Sequence, residues 1–304
     1  MLGIAIGPAG WSWHVGGNIL WNVRMPRVAL AALVGAMLSI AGGTYQGVFR
    51  NALVDPYLLG VAAGAGLGAT TIFALGRSRF NGWPVSPVPV ASFIGALLAV
   101  SMTYAVGARF RTGLGSSTGL VLAGVAVGSL FTAIQTFVLQ RNTEVIREVY
   151  SWILGRFNTA SWADSRLILP YVTLSVTLLL LYRRRIDVLR VGDDEAQALG
   201  IDVRRTRLLL VIAATLGTAA AVSVSGLIGF VGIVVPHIVR LLCGPSYRMI
   251  LPVSLILGAA FMILADLIGR TLLSPQELPI GVITAFIGAP FFLLVLVSKR
   301  GAAA

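Results

Sequence analysis

Charge is scarce in this 304-residue chain: only 11% of its side chains are Asp, Glu, Lys or Arg, where a soluble domain carries about 25%. With 57% hydrophobic residues and 35 glycines, the ordinary soluble class is excluded and an integral membrane protein is implied. Cysteine occurs once, at Cys243, which rules out an internal disulfide and any cysteine-based metal cluster. The two histidines, His14 and His237, lie far apart and offer no ligand spacing. Lysine also occurs once, as Lys299 beside Arg300. A phosphate-cradling P-loop needs lysine before Ser or Thr inside a glycine-rich loop, so the chain lacks that route to nucleotide hydrolysis. Any ATP-driven process needs another subunit. A retinal-type pigment is excluded by the same position, because it needs a lysine buried in mid-membrane.

What the sequence has in abundance is long apolar runs. A helix crosses the hydrocarbon with about 20 residues. Runs of that kind cover 28–48, 58–75, 88–107, 119–139, 167–182, 249–265 and 278–298. The stretch 208–239 is too long for one span and short for two, and Ser223-Val224-Ser225-Gly226 is its expected turn, giving two short spans. The fold class expected is therefore all-α, a polytopic membrane helical bundle with nine complete spans, in a single transmembrane domain over 1–304. Residues 1–23 are broken by glycine and proline: only 1–7 reads as the remnant of a further span, and the rest as an external loop with interfacial Trp11, Trp13 and Trp21.

The net charge of +12 would ordinarily raise nucleic acid as a partner, but the basic residues fall between apolar runs, so none is expected. Alternating the spans puts 14 basic residues on one side, seven of them arginines within 183–207, and 9 on the other. The richer side is cytoplasmic by the positive-inside tendency. Nine external arginines suit either an acidic partner or ordinary solvated loops.

Several segments resemble one family. Arg24-Met25-Pro26-Arg27 opens a span, and Tyr45-Gln46-Gly47-Val48-Phe49-Arg50-Asn51-Ala52-Leu53-Val54-Asp55-Pro56-Tyr57-Leu58-Leu59-Gly60 follows. Gly226-Leu227-Ile228-Gly229-Phe230-Val231-Gly232 runs on to Pro236-His237 and Arg240, and Glu277-Leu278-Pro279-Ile280-Gly281 precedes Gly288-Ala289-Pro290-Phe291-Phe292. In this order they resemble the permease family of bacterial ABC importers for ferric siderophores, haem and cobalamin. The resemblance implies ten spans, alternating access, and a multi-pass subunit of the bacterial cytoplasmic membrane that pairs with a second copy of itself. It also implies two cytoplasmic ATPase subunits and an external substrate-binding protein. No cofactor is expected in this chain, ATP and Mg belonging to the partner ATPase. Because 1–7 is all that stands for the family's first span, an in-frame apolar segment of about 20 residues is expected upstream. A stand-alone ion- or proton-coupled secondary transporter is the competing class.

Four constellations carry expectations. Within 183–207, Gly192-Asp193-Asp194-Glu195-Ala196-Gln197-Ala198-Leu199-Gly200 reads as a short helix, with acids in its first turn, Gly200 as its stop, and Ala196 and Leu199 on one face. The resemblance makes it the segment coupled to the ATPase; a solvated linker is the alternative. Arg24, Arg27 and Arg270 match family positions that dock acidic residues of the binding protein, with interfacial anchoring the alternative for the first two. Asp266, one turn before Arg270, is placed to orient it. Within 142–166, Val145, Val149 and Trp152 form the stripe of a short external helix that the resemblance makes a gate or docking element. Ser129, Thr132, Gln135 and Thr136 share one helical face, which must look at protein or a cavity rather than lipid. The family's corresponding helix lines the translocation path, and interhelical hydrogen bonding is the alternative. An intramembrane protease built on Ser225 and His237 is disfavoured by their different depths.

Overall fold

A computed structural model describes residues 6–7, 10–11, 17–109 and 117–301. Eleven helices make up nearly all of it: α1 Gly17–Val48, α2 Val61–Leu75, α3 Pro87–Arg109, α4 Ser117–Arg141, α5 Ile146–Ile153 and α6 Trp162–Leu189. They continue as α7 Asp193–Ala198, α8 Val203–Ser225, α9 Val231–Cys243, α10 Tyr247–Thr271 and α11 Ile280–Gly301. Each of the seven separate apolar runs falls largely on one helix, and 208–239 falls on two. Six helices, α1, α3, α4, α6, α8 and α10, are long and apolar enough to cross a membrane, and α2, α9 and α11 supply shorter apolar segments.

α1 is the axis of the bundle. Every residue from Val34 to Val48 is buried, as expected of a helix apolar on all sides, and α10, α8, α6 and α9 pack around it. Small residues permit the crossings, since packing rather than water expulsion drives association in lipid. A methyl on Gly42 would overlap the Gly232 carbonyl of α9, and one on Gly35 the Gly258 carbonyl of α10. α2 and α3 cross in the same way through Gly64 and Gly95. Thr44, Tyr45 and Gln46 inside α1 are satisfied: Thr44 donates to Ile40 O at 2.8 Å, Tyr45 Oη meets Thr215 Oγ1 at 2.6 Å, and Gln46 donates to Gly232 O at 3.1 Å while accepting from Arg240 at 2.8 Å.

The structure moves several boundaries. α1 begins at Gly17, inside the expected external loop, and passes through one π-helical turn over Leu20–Arg24. Pro26 explains the wide turn: it lacks an N–H, and its ring would crowd the carbonyl four residues back. Trp21 is thus on a helix, its ring exposed and 5.7 Å from that of Trp162, which donates to the Trp21 carbonyl. Ile6–Gly7 is extended and pairs with Gly10–Trp11, so the described end of the expected span remnant is not helical. Residues 1–5, Trp13 and Arg111 lie outside the described residues.

α6 runs past its apolar stretch through Arg183, Arg184 and Arg185 to Leu189. The segment 183–207 is therefore the end of one helix, a short helix and the start of the next, rather than an insert between spans. α6 also begins inside 142–166, where Ser161 and Asp164 form a capping box. α8 starts at Val203, capped by Asp202 accepting from Arg205 N at 2.9 Å. In place of two short spans, 208–239 thus holds most of a full-length helix and a short one, and the break falls at 226–230. Apolarity placed these ends too early because helices continue into the headgroup region, where arginine is at home.

Candidate functional site

The non-helical stretch between α1 and α2 returns into the bundle. Pro56 packs on Gly232, which faces Gly42, six residues before the end of α1; at 1.5 Å per residue that is about 9 Å inside. Irregular backbone at such depth is tolerated only where protein covers it or a cavity takes it up. Both conditions are met here. Asp55 accepts from Tyr57 N at 2.8 Å and starts the single turn Pro56–Leu59, which Gly60 ends at φ +86°. The Tyr57 hydroxyl accepts from Ile228 N and donates to Ile228 O, both at 3.0 Å, joining this turn to the break between α8 and α9.

Asp55 and Tyr57 help line an open groove of about 1240 Å³ along α4. Ser129, Thr132, Gln135 and Thr136 all line it. The four expected path residues are thus brought together. Gln135 is buried and donates to Thr70 at 3.1 Å, with its amide close over Gly66, so interhelical bonding also holds for that residue. Ser129, Thr132 and Thr136 are exposed. Around them α4 leaves Leu122, Val125, Leu130 and Phe137 half or more exposed. Sequence reasoning gave no role to Asp55, Tyr57 or Gln140, which also line the groove. An acid directly before a proline within an apolar stretch was the available signal, because it marks a break in the helix.

At the end expected to be cytoplasmic, α7 forms as expected, with Asp193, Asp194 and Glu195 in its first turn. Gly200, at φ +80°, closes it, letting Ile201 N reach Ala196 O at 3.0 Å. Glu195 folds back over Gly192 so closely that a side chain there would overlap its carboxylate. Ala196 and Leu199 do not share a face: Ala196 is fully buried, whereas Leu199 is 66% exposed, because the chain leaves the helix there. Asp193 pairs with Arg207 of α8 at 3.1 Å and with Arg50 at the end of α1. Val191 and Leu199 leave an apolar tip on either side of α7.

At the end expected to be external, Arg24, Arg27 and Arg270 are gathered. Arg27 meets Asp266 through Nε and Nη2 at 2.8 to 3.0 Å and Glu277 through Nη1 at 2.8 Å. The expected Asp266–Arg270 pair exists at 3.7 Å, but the main partner of Asp266 is Arg27, on another helix. Arg24 and Arg270 are buried, the latter only 2% exposed. Together they form a charge cluster joining α1 to α10 and the segment just before α11.

The short external helix is α5, with Val149 and Trp152 buried and Glu144, Arg147, Glu148 and Tyr150 outward. Its C-terminal end is stitched to two other segments, Arg156 N donating to Ser225 O at 2.9 Å and Ile280 N to Gly155 O at 3.2 Å. Ile153 and Leu227 reach into the groove from this junction. The Ser225 hydroxyl donates to backbone carbonyls of its own segment, and His237 lies edge-on to Phe291.

Comparison with known proteins agrees with this arrangement. The chain is 36% identical over 95% of its length to the hemin transport system permease protein HmuU of Yersinia pestis, covering 84% of that protein. To the cobalamin import system permease protein BtuC of Halobacterium salinarum it is 42% identical, over 91% of this chain and 73% of that one. A solved ABC transporter of metal-chelate type, in an inward-facing conformation, superposes with a TM-score of 0.87 at 29% identity, covering 98% of this chain and 94% of its own. The profile of the FecCD transport family matches residues 9–298, and the chain belongs to that family.

Proposed function

We propose that this chain is the membrane-spanning permease subunit of an ATP-driven importer that moves a metal chelate, a ferric siderophore, haem or cobalamin, across the bacterial cytoplasmic membrane. The observation that carries the reading is the groove along α4. Its hydroxyls and irregular backbone stand among long apolar helices and are exposed on this one copy, where contact with lipid would be costly. A second copy of the chain closes it, and the cavity between two copies is then the path.

Two cytoplasmic ATPases bind at α7, and ATP with its Mg²⁺ belongs to them. An external binding protein delivers the chelate at the α5 side, and ATP-driven movement of α7 rocks the spans between outward and inward access. Support comes from the relatives' names, from the apolar and acidic tip around α7, and from the excess of basic residues on the α7 side. The test is reconstitution with the ATPase and binding protein in proteoliposomes: uptake of one of the three chelates should require ATP and should stimulate its hydrolysis. Uptake that persists without ATP and collapses with a protonophore would overturn the proposal in favour of an ion-coupled carrier.

A further inference from the structure

α1 ends in a way that its sequence alone does not favour. Asn51 N donates to Gln46 O at 3.1 Å and Arg50 N to Gly47 O at 3.3 Å, the paired bonds of a Schellman closure, with Arg50 in the left-handed region at φ +51°. Glycine or asparagine is the usual residue there, since a Cβ is strained in that conformation. The arginine side chain shows what its presence achieves. Its Nε donates to the carbonyl of Leu189, the last residue of α6, at 2.8 Å, and its Nη2 binds Asp193, the first residue of α7. One guanidinium thus holds both sides of the joint on which α7 turns.

The backbone of the same residue opens the stretch that helps line the groove. From Arg50 the chain passes to Asp55 and Tyr57, and Tyr57 holds Ile228 by two hydrogen bonds. Three residues before Ile228, Ser225 O receives Arg156 N from the end of α5. The contacts are continuous from the cytoplasmic tip to the external helix.

We infer that Arg50 is a positioning residue that transmits displacement of α7 to the groove lining, so that access to the path follows the ATPase. The inference rests on the permease reading above. Spatial continuity does not demonstrate coupling, so the experiment separates transmission from bracing. In the reconstituted complex, uptake per ATP hydrolysed is measured for the unmodified chain and for Arg50→Gly, Arg50→Gln and Arg50→Lys, with the melting temperature of each. Glycine suits φ +51°, so Arg50→Gly relieves backbone strain while deleting the tie. The expected result is an assembled complex that still hydrolyses ATP while uptake per ATP falls about tenfold, one decade corresponding to 1.4 kcal/mol of lost coupling. Arg50→Lys, which keeps the charge on Asp193, should recover more of it than Arg50→Gln. Unchanged uptake per ATP in Arg50→Gly overturns the inference. So does a series in which uptake follows melting temperature alone, or in which all three variants fail to assemble, since Arg50 would then be a brace. An unmodified chain that neither binds an ATPase nor takes up chelate with ATP would instead refute the permease reading.

Discussion

Asp266→Asn is the sharpest probe of the external charge cluster. The Asp266 side chain is 4% exposed and both its oxygens meet Arg27, while Arg270, itself 2% exposed, stands 3.7 Å away. Asparagine keeps the volume and deletes the charge, so no cavity confuses the result. Arg27 would then keep Glu277 but lose the more deeply buried of its two carboxylates. Breaking a buried pair from one side costs about 3–5 kcal/mol, because it strands the partner. At roughly 2–4 °C per kcal/mol, a scale from soluble chains of 150–250 residues, the melting temperature should fall by roughly 6–20 °C. Glu277→Gln is the internal comparison: its side chain is 25% exposed and Arg27 keeps Asp266, so water screens the loss and about 1 kcal/mol, or roughly 2–4 °C, is expected. The assay is the fraction of detergent-purified protein that stays monodisperse after heating. Equal losses in the two variants, or a larger loss in Glu277→Gln, would refute the assignment of Asp266 as the internal anchor of the cluster.

Other consequences can be measured directly. Glu195→Lys puts a cation in the first turn of α7 and should weaken co-purification with the ATPase; unchanged co-purification and transport would remove α7 as the docking element. Gly42→Ala drives a methyl into the Gly232 backbone and should cost about 1–3 kcal/mol or more as the helices separate, seen as a lower melting temperature, whereas Gly200→Asn at the solvated end of α7 should change it little. Thr132→Phe fills the groove at an exposed position of α4. It should reduce chelate uptake severalfold while leaving expression and melting unaltered.

Periodicity and apolarity located the helices because the bilayer enforces both: unpaired backbone in lipid is too costly to leave room for other answers. The face of α4 was legible for the same reason, since hydroxyls at spacings of three and four cannot point to lipid without loss. Helix ends were not legible where charge replaced apolarity, as at Arg183–Arg185 and Arg204–Arg207, because arginine in the headgroup region ends an apolar run without ending a helix. The pairing of Arg27 with Glu277 was not legible for a different reason. Glu277 is 250 residues from Arg27 in sequence, and nothing local to either shows that the fold brings them together. Ala196 and Leu199 were assigned one face by spacing, which fails when the second residue is already leaving the helix.

The arginines of the outer side change meaning once placed. Nine of them suited either an acidic partner or ordinary solvated loops, whereas Arg27 and Arg270 face Asp266, with Glu277 also on Arg27 and Arg24 buried beside them. Charges neutralised inside the bundle contribute little at the surface. The field an approaching protein meets is set instead by Arg79, Arg141, Arg147 and Arg166, all exposed. Arg147 stands on α5 and lines a groove with Glu144 and Tyr150, where the permease reading puts delivery of the chelate. On the inner side, Arg50 and Arg207 hold the α7 joint together and Arg190 ties the end of α6 to Pro245, while Arg205 pairs with Asp202 and Arg184 and Arg204 are exposed. Basic residues in this chain thus serve two physical purposes, orientation and mechanical connection, and one residue can serve both, since Arg50 is exposed and paired at once. Only the fold distinguishes the two, because pairing depends on which helices meet.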